Sequence, residues 1–165
     1  MAIDLHKHSA QEASNITARN AVIRVTPTIT GVQYSNNDVL FTTTEIPEAV
    51  GYIGGASKLI NITINSKSAS LFDATLWFFQ VNQSAGTVNA AWNMSDSDFA
   101  TAKMQGYSGF TGATKTYPQL PLMLQAASGS TSVYVAAKVQ SEDDPGNTTP
   151  SFSVGDIELV FGIEY

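Results

Sequence analysis

The chain's two histidines, His6 and His8, stand two positions apart and close to Asp4. On an extended segment they share a face, where a metal ion could bridge them. Selective binding needs further ligands held rigidly, and residues 1–20 are polar, with no sustained apolar face to fix them. Neither histidine has an evident serine or carboxylate partner of the kind a catalytic triad requires. The expectation is an ordinary solvated arm.

The carboxylates point the same way. Asp96 and Asp98, and the run Glu142-Asp143-Asp144, lack the spaced oxygen ligands, central glycine and closing glutamate of a calcium loop. Helix capping accounts for the first pair and a solvated loop for the second. Glycosidase chemistry needs two carboxyls about 5–10 Å apart across a cleft. Glu158 and Glu164 lie on one strand face, about 20 Å apart by strand rise. Neither Gly54-Gly55 nor the stretch from Gly109 to Gly112 ends in the Lys-Ser/Thr of a phosphate loop. The expectation is therefore no enzyme, no cofactor and no metal.

Aromatic rings remain. Trp77, Phe79, Trp92, Tyr107, Phe110 and Tyr117 are of the type that anchors subunit contacts, lines sugar grooves or fills sandwich cores. For Trp77 and Phe79 the expected place is a core beneath a loop. Trp92, Tyr107 and Phe110 fall in a loop-rich middle, where either role fits.

The elements that must position these residues show as alternation. Residues 22–29 put Ile23, Val25, Pro27 and Ile29 on one face, and Pro27, which cannot donate to a ladder, implies an edge or a bend. After the turn cluster 34–38, residues 39–43 read as a short strand. Residues 58–65 turn Ile60, Ile62 and Ile64 inward, and residues 71–81 turn Phe72, Ala74, Leu76 and Phe78 inward. Trp77 and Phe79 make the opposite face apolar at its far end, which predicts cover on both sides there.

Ser95-Asp96-Ser97-Asp98 predicts the start of a short helix over 99–104, with Gly106 as its stop. Pro118 and Pro121 predict an extended or edge segment. Residues 132–140 place Val133, Val135, Ala137 and Val139 inward, and residues 157–165 do the same with Ile157, Leu159, Phe161, Ile163 and Tyr165. Strands separated by turns, with at most one short helix, predict an all-β fold. The form expected is an antiparallel β-sandwich or jelly roll over residues 21–165, preceded by an extended arm of residues 1–20.

Composition bounds the partners. Of 165 residues, 43% are hydrophobic and only 13% charged, about half the ordinary charged share. Net charge is −6 and the eight Lys and Arg are scattered, so no basic stripe is available to displace counterions from nucleic acid. Apolar runs are too short to span a bilayer. There is no cysteine, and residues 1–20 lack the apolar core of a secretory signal. Synthesis and folding in a reducing cytoplasm are expected.

These features together resemble the small capsid decoration, or cement, proteins of tailed bacteriophages. The resemblance rests on the polar arm leading into Ile23-Arg-Val-Thr-Pro-Thr-Ile-Thr30, followed by Tyr34-Ser-Asn-Asn-Asp38-Val39. It continues through Gly54-Gly-Ala-Ser-Lys-Leu-Ile-Asn-Ile-Thr-Ile64, Leu76-Trp-Phe-Phe79 and the last two strands. It implies a non-enzymatic virion protein on the outer capsid surface that clamps neighbouring major capsid subunits against packaged DNA. Such proteins commonly sit as homo-oligomers at a symmetry axis, and a trimer is expected over a dimer.

The candidate contact residues are then Ile3, Leu5, His6 and His8 in the arm, with Trp92, Tyr107, Phe110 and Tyr117 in the body. The alternative is a carbohydrate-binding sandwich, or another tail or baseplate component in host attachment. In that case Trp92, Tyr107 or Tyr117 would stack on sugar rings.

Overall fold

Most alternating stretches among the described residues form strands. The computed structural model describes residues 19–68, 72–111, 115–140 and 150–165, with side chains 111–121 outside that description. The candidate arm residues Ile3, Leu5, His6 and His8, and most of the acidic loop 141–150, lie outside the described residues. Eight strands are described: β1 (Asn20–Val25), β2 (Val39–Ile46), β3 (Ala56–Ser66), β4 (Asp73–Phe79), β5 (Met104–Thr111), β6 (Lys115–Gln125), β7 (Val133–Gln140) and β8 (Ile157–Glu164). One helix is described, α1 (Asp96–Ala102), between β4 and β5.

The strands form two four-stranded sheets, ordered β1-β8-β3-β6 and β2-β7-β4-β5. Every pairing is antiparallel. β4 pairs with β5, β3 with β6, β2 with β7 and β1 with β8, the pattern of one long hairpin rolled on itself. Rolling adds the contacts β3–β8 and β4–β7. The result is a jelly roll, a double-sheet solution to antiparallel strands with few open edges.

The inner faces follow the sequence pattern. On β8, Ile157, Leu159, Phe161 and Ile163 are buried while the residues between them are half-buried. Phe161 meets Phe78 of the other sheet edge-on, with ring centroids 6.1 Å apart. Tyr34 is buried too, and its hydroxyl accepts the Thr30 N–H at 2.8 Å, which satisfies its polar end. On one flank the two sheets are tied together by Gln105 of β5. Its amide bonds both the N–H and the C=O of Gln125 on β6, at 3.2 and 2.5 Å.

Several expectations are corrected. β1 ends at Val25 rather than Ile29, before Pro27. Ile60 is not inward. β3 carries one extra residue between Leu59 and Asn61, so its phase reverses; Leu59 takes the core position and Ile60 turns out, 39% exposed. The middle of the chain holds β5 rather than a loop. β6 is an edge strand, as its two prolines require, and its register with β3 shifts where they fall.

α1 starts as predicted and stops earlier. Ser95 caps it: its hydroxyl accepts the Asp98 N–H at 3.3 Å, and its own N–H donates to the Asp98 carboxylate at 2.9 Å. The Ser95 N–H foremost, and then the Ser95 hydroxyl, which also donates to that carboxylate at 2.7 Å, hold the Asp98 carboxyl below its ordinary range. Lys103, in the left-handed conformation at φ 51°, ends the helix in place of Gly106.

Seven residues make too short a helix to persist alone. α1 persists because Ala102 and Phe99 pack on the outer face of the second sheet. Ser95→Ala should therefore cost about 1 kcal/mol in urea unfolding. The capping share should fade in acid, since a depressed carboxyl stabilises above its unfolded pKa and stops doing so as pH falls through the folded value. A wild-type midpoint in the Ser95→Ala variant would show that the cap does not hold α1 in place.

Candidate functional site

The two outer sheet faces differ. On the second sheet, the outward residues of β4 and β7 are Trp77, Phe79, Tyr134 and Ala136, covered by α1 and the chain before it. This is the cover that the apolar second face of β4 predicts. Phe79 is fully buried, and Trp77 lies among three rings: Tyr107 at 4.9 Å, Phe99 at 5.0 Å and Trp92 at 6.3 Å. The Trp77 indole N–H is buried and meets no acceptor among the described residues.

This cluster brings together two of the candidate contact residues. Trp92 is half-buried against Phe99 and Trp77. Tyr107 is 64% exposed and lies over Trp77. Phe110 is elsewhere. It pairs with Ala74 on the inward phase of β5, 6% exposed, and packs edge-on against Phe72 at 5.3 Å. Strand alternation places it in the core rather than on the surface. The Tyr117 backbone pairs with Ile62 on β6, and its side chain lies outside the description.

No described element packs on the outer face of the first sheet. Its described charges pair with one another: Arg24 with Glu158 at 3.0 Å, and Lys58 with Glu164 at 3.4 Å. Asn65 also donates to Glu158, at 2.9 Å. Exposed pairs of this kind contribute about 0–1 kcal/mol, but they leave the face nearly neutral. Between them Val22 is 69% exposed and Met123 55%. Asn61 lies across Gly162, where a Cβ would stand 2.6 Å from its Oδ1, so glycine there lets the amide cover the sheet. Alternation alone predicts Ile60 inward; the bulge in β3 turns it out onto this face.

At one end of the sandwich, Arg19, Glu48, Val50, Gly51, Tyr52, Ala56, Thr131 and Tyr165 line a groove of about 500 Å³. Tyr165, expected inward, lies beyond the end of β8 and is partly exposed. Its hydroxyl donates to the Glu48 carbonyl at 2.6 Å. Burial, then the nearby Glu48 charge, raise its pKa above the ordinary phenol value. A phenol held neutral and already donating is no nucleophile at neutral pH.

Among the described residues no cluster of His, Asp and Glu could hold a metal ion. No described helix is long and apolar enough to cross a membrane. Asp98 is engaged by its cap, and Glu158 and Glu164 by their cations. The arrangement offers surfaces for contact and hydrogen bonding.

No family model and no curated protein matches the chain. Among solved structures, it is similar to chains in the structures of infectious bursal disease virus Gx strain and Gt strain. Each is 12% identical, over 90% of this chain and 40% or 42% of theirs, with a TM-score of 0.20. The chain thus spans about two-fifths of the chains it matches. A likeness at that score carries no argument about fold or function.

The Tyr165 bond can be tested by pH. A raised phenol pKa stabilises the fold below the unfolded value of about 10 and ceases to as pH climbs through the folded one. Tyr165→Phe should be less stable than wild type at pH 8 in urea, and the difference should close above about pH 10. A difference that stays constant with pH would contradict this bond.

Proposed function

We propose that this chain is a non-enzymatic virion structural protein that binds the outer surface of a phage capsid and clamps neighbouring major capsid subunits. The observation that carries the reading is the outer face of the first sheet, on which no described element packs. Its described charges neutralise each other, and Val22, Ile60 and Met123 stand exposed between them. A partner docking there desolvates few unpaired ions, which is the costly step in covering a polar surface. The low charged share of 13% extends the same economy to the rest of the chain.

The fold is compatible with this role, since jelly rolls build viral capsid and lectin domains; fold alone does not choose between them. Residues 1–18 precede Arg19, the first described residue. Extended, they would reach about 60 Å, far enough to lie across a neighbouring subunit and tie it down. Self-association as a homo-oligomer on the shell belongs to the same reading.

The carbohydrate alternative rests on Tyr107. Its ring lies exposed over Trp77, the type of platform on which a pyranose stacks.

The test is co-sedimentation with capsids assembled without this protein. The full chain should bind saturably. Deletion of residues 1–18, stopping short of Arg19 because its carbonyl accepts the Tyr165 N–H, should weaken binding at least tenfold. Unchanged occupancy would remove the arm from the mechanism, and absence of binding by the full chain would overturn the reading. Retention on a glycan array, lost in Tyr107→Ala, would move the function to host attachment.

A further inference from the structure

One flank of the sandwich is closed by Gln105, which bridges β5 to β6. The opposite flank ends in β1 and β2. The ladder on β1 can be phased from one bond. The Tyr165 N–H donates to the Arg19 carbonyl at 2.9 Å, and the register runs unbroken from there: Asn20 opposite Glu164, Ala21 opposite Ile163, on to Val25 opposite Leu159. Antiparallel pairs alternate between bonded and non-bonded. Arg19, Ala21, Ile23 and Val25 are thus the bonded residues, and Asn20, Val22 and Arg24 aim their N–H and C=O groups away from β8. Among the described residues no hydrogen bond meets them there.

An open edge of this kind is a template for another strand. Natural edges are blunted by charges, prolines or bulges, and here Pro27 falls beyond the strand while Arg24 is the one charge on it. We propose that β1 pairs antiparallel with β1 of a second copy, about a two-fold axis at Val22, so that two first sheets become one. This names the surface for the self-association part of the function proposed above and rests on that part alone.

The edge is complementary to itself. A two-fold at Val22 sets Val22 against Val22, an apolar β-branched cross-strand pair, and sets Asn20 against Arg24, with no like charges opposed. All three pairs are of the bonded type, so they supply about six backbone hydrogen bonds. The strand carries no acidic residue in a chain of net charge −6, which makes it a place where two copies approach with little repulsion. Such a contact is isologous and closes as a dimer, or as a dimer-based assembly. That differs from the three-fold which family habit suggests.

The test is sedimentation equilibrium of the full chain over a series from micromolar to millimolar. Wild type should reach a dimer or a multiple of it. Val22→Pro removes an N–H that the β8 ladder does not use, on an edge strand that tolerates proline. It should weaken association at least tenfold while far-UV circular dichroism stays native. Should that variant fail to fold, Val22→Asp and Val22→Lys serve instead. Each alone opposes like charges at the axis and should remain monomeric, and their equimolar mixture should recover a dimer.

A wild-type monomer throughout, a trimer, association unchanged by these substitutions, or a mixture no better than its parts would each overturn the pairing. Capsid binding by a wild-type monomer would overturn this edge and leave the proposed function standing. Loss of capsid binding with an intact dimer would do the reverse.

Discussion

The first sheet depends on β8, which is hydrogen-bonded on both sides, to β1 and to β3. Without it β1 has no partner and β3 keeps only β6. The inward residues of β8 are also where the two sheets meet. Phe161 stands between Ile23 and Ile62 in its own sheet and against Phe78 in the other. Burying such a ring contributes about 1.5–3 kcal/mol, so the strand supplies both the ladder and a large share of the core. The cost is kinetic, because pairing β1 with β8 closes a loop of nearly the whole described chain before either strand gains from it.

Two sheets packed face to face leave two outer faces, and this protein treats them differently. One is roofed by α1 and the segment before it, over a cluster of Trp, Phe and Tyr rings. The other carries no described cover, and its charges are matched within it. Trp77, Phe79 and Phe99 in that cluster hold a capped helix of seven residues to the sheet. Among the described residues nothing packs on the outer face of the first sheet or pairs with the outer edge of β1. Tyr107 is the exception among the rings, packed on Trp77 yet open to solvent.

Much of this was legible from period-two alternation. β4, β7 and β8 bury the residues their pattern predicts, because a half-buried pleated strand leaves no other arrangement of its apolar side chains. The capping residues of α1 were legible for the same local reason, being a short-range exchange of hydrogen bonds. Three things were not. The bulge in β3 depends on register with β6 and β8, so the sequence alone could not say that Ile60 turns out. β5 contains two glycines and reads as loop, although its Tyr107 and Phe110 lie on opposite faces as strand residues do. The outer face of the first sheet was not legible either, since it is defined by what, among the described residues, does not pack on it.

In the proposed role the molecule would act by contact, helping to hold a shell together through its nearly neutral sheet surface. The most direct measurement is the temperature at which DNA-filled capsids release their DNA, followed with an intercalating dye, with and without saturating protein. The account predicts a clear upward shift that grows with occupancy. Release at the same temperature on fully occupied capsids would contradict it.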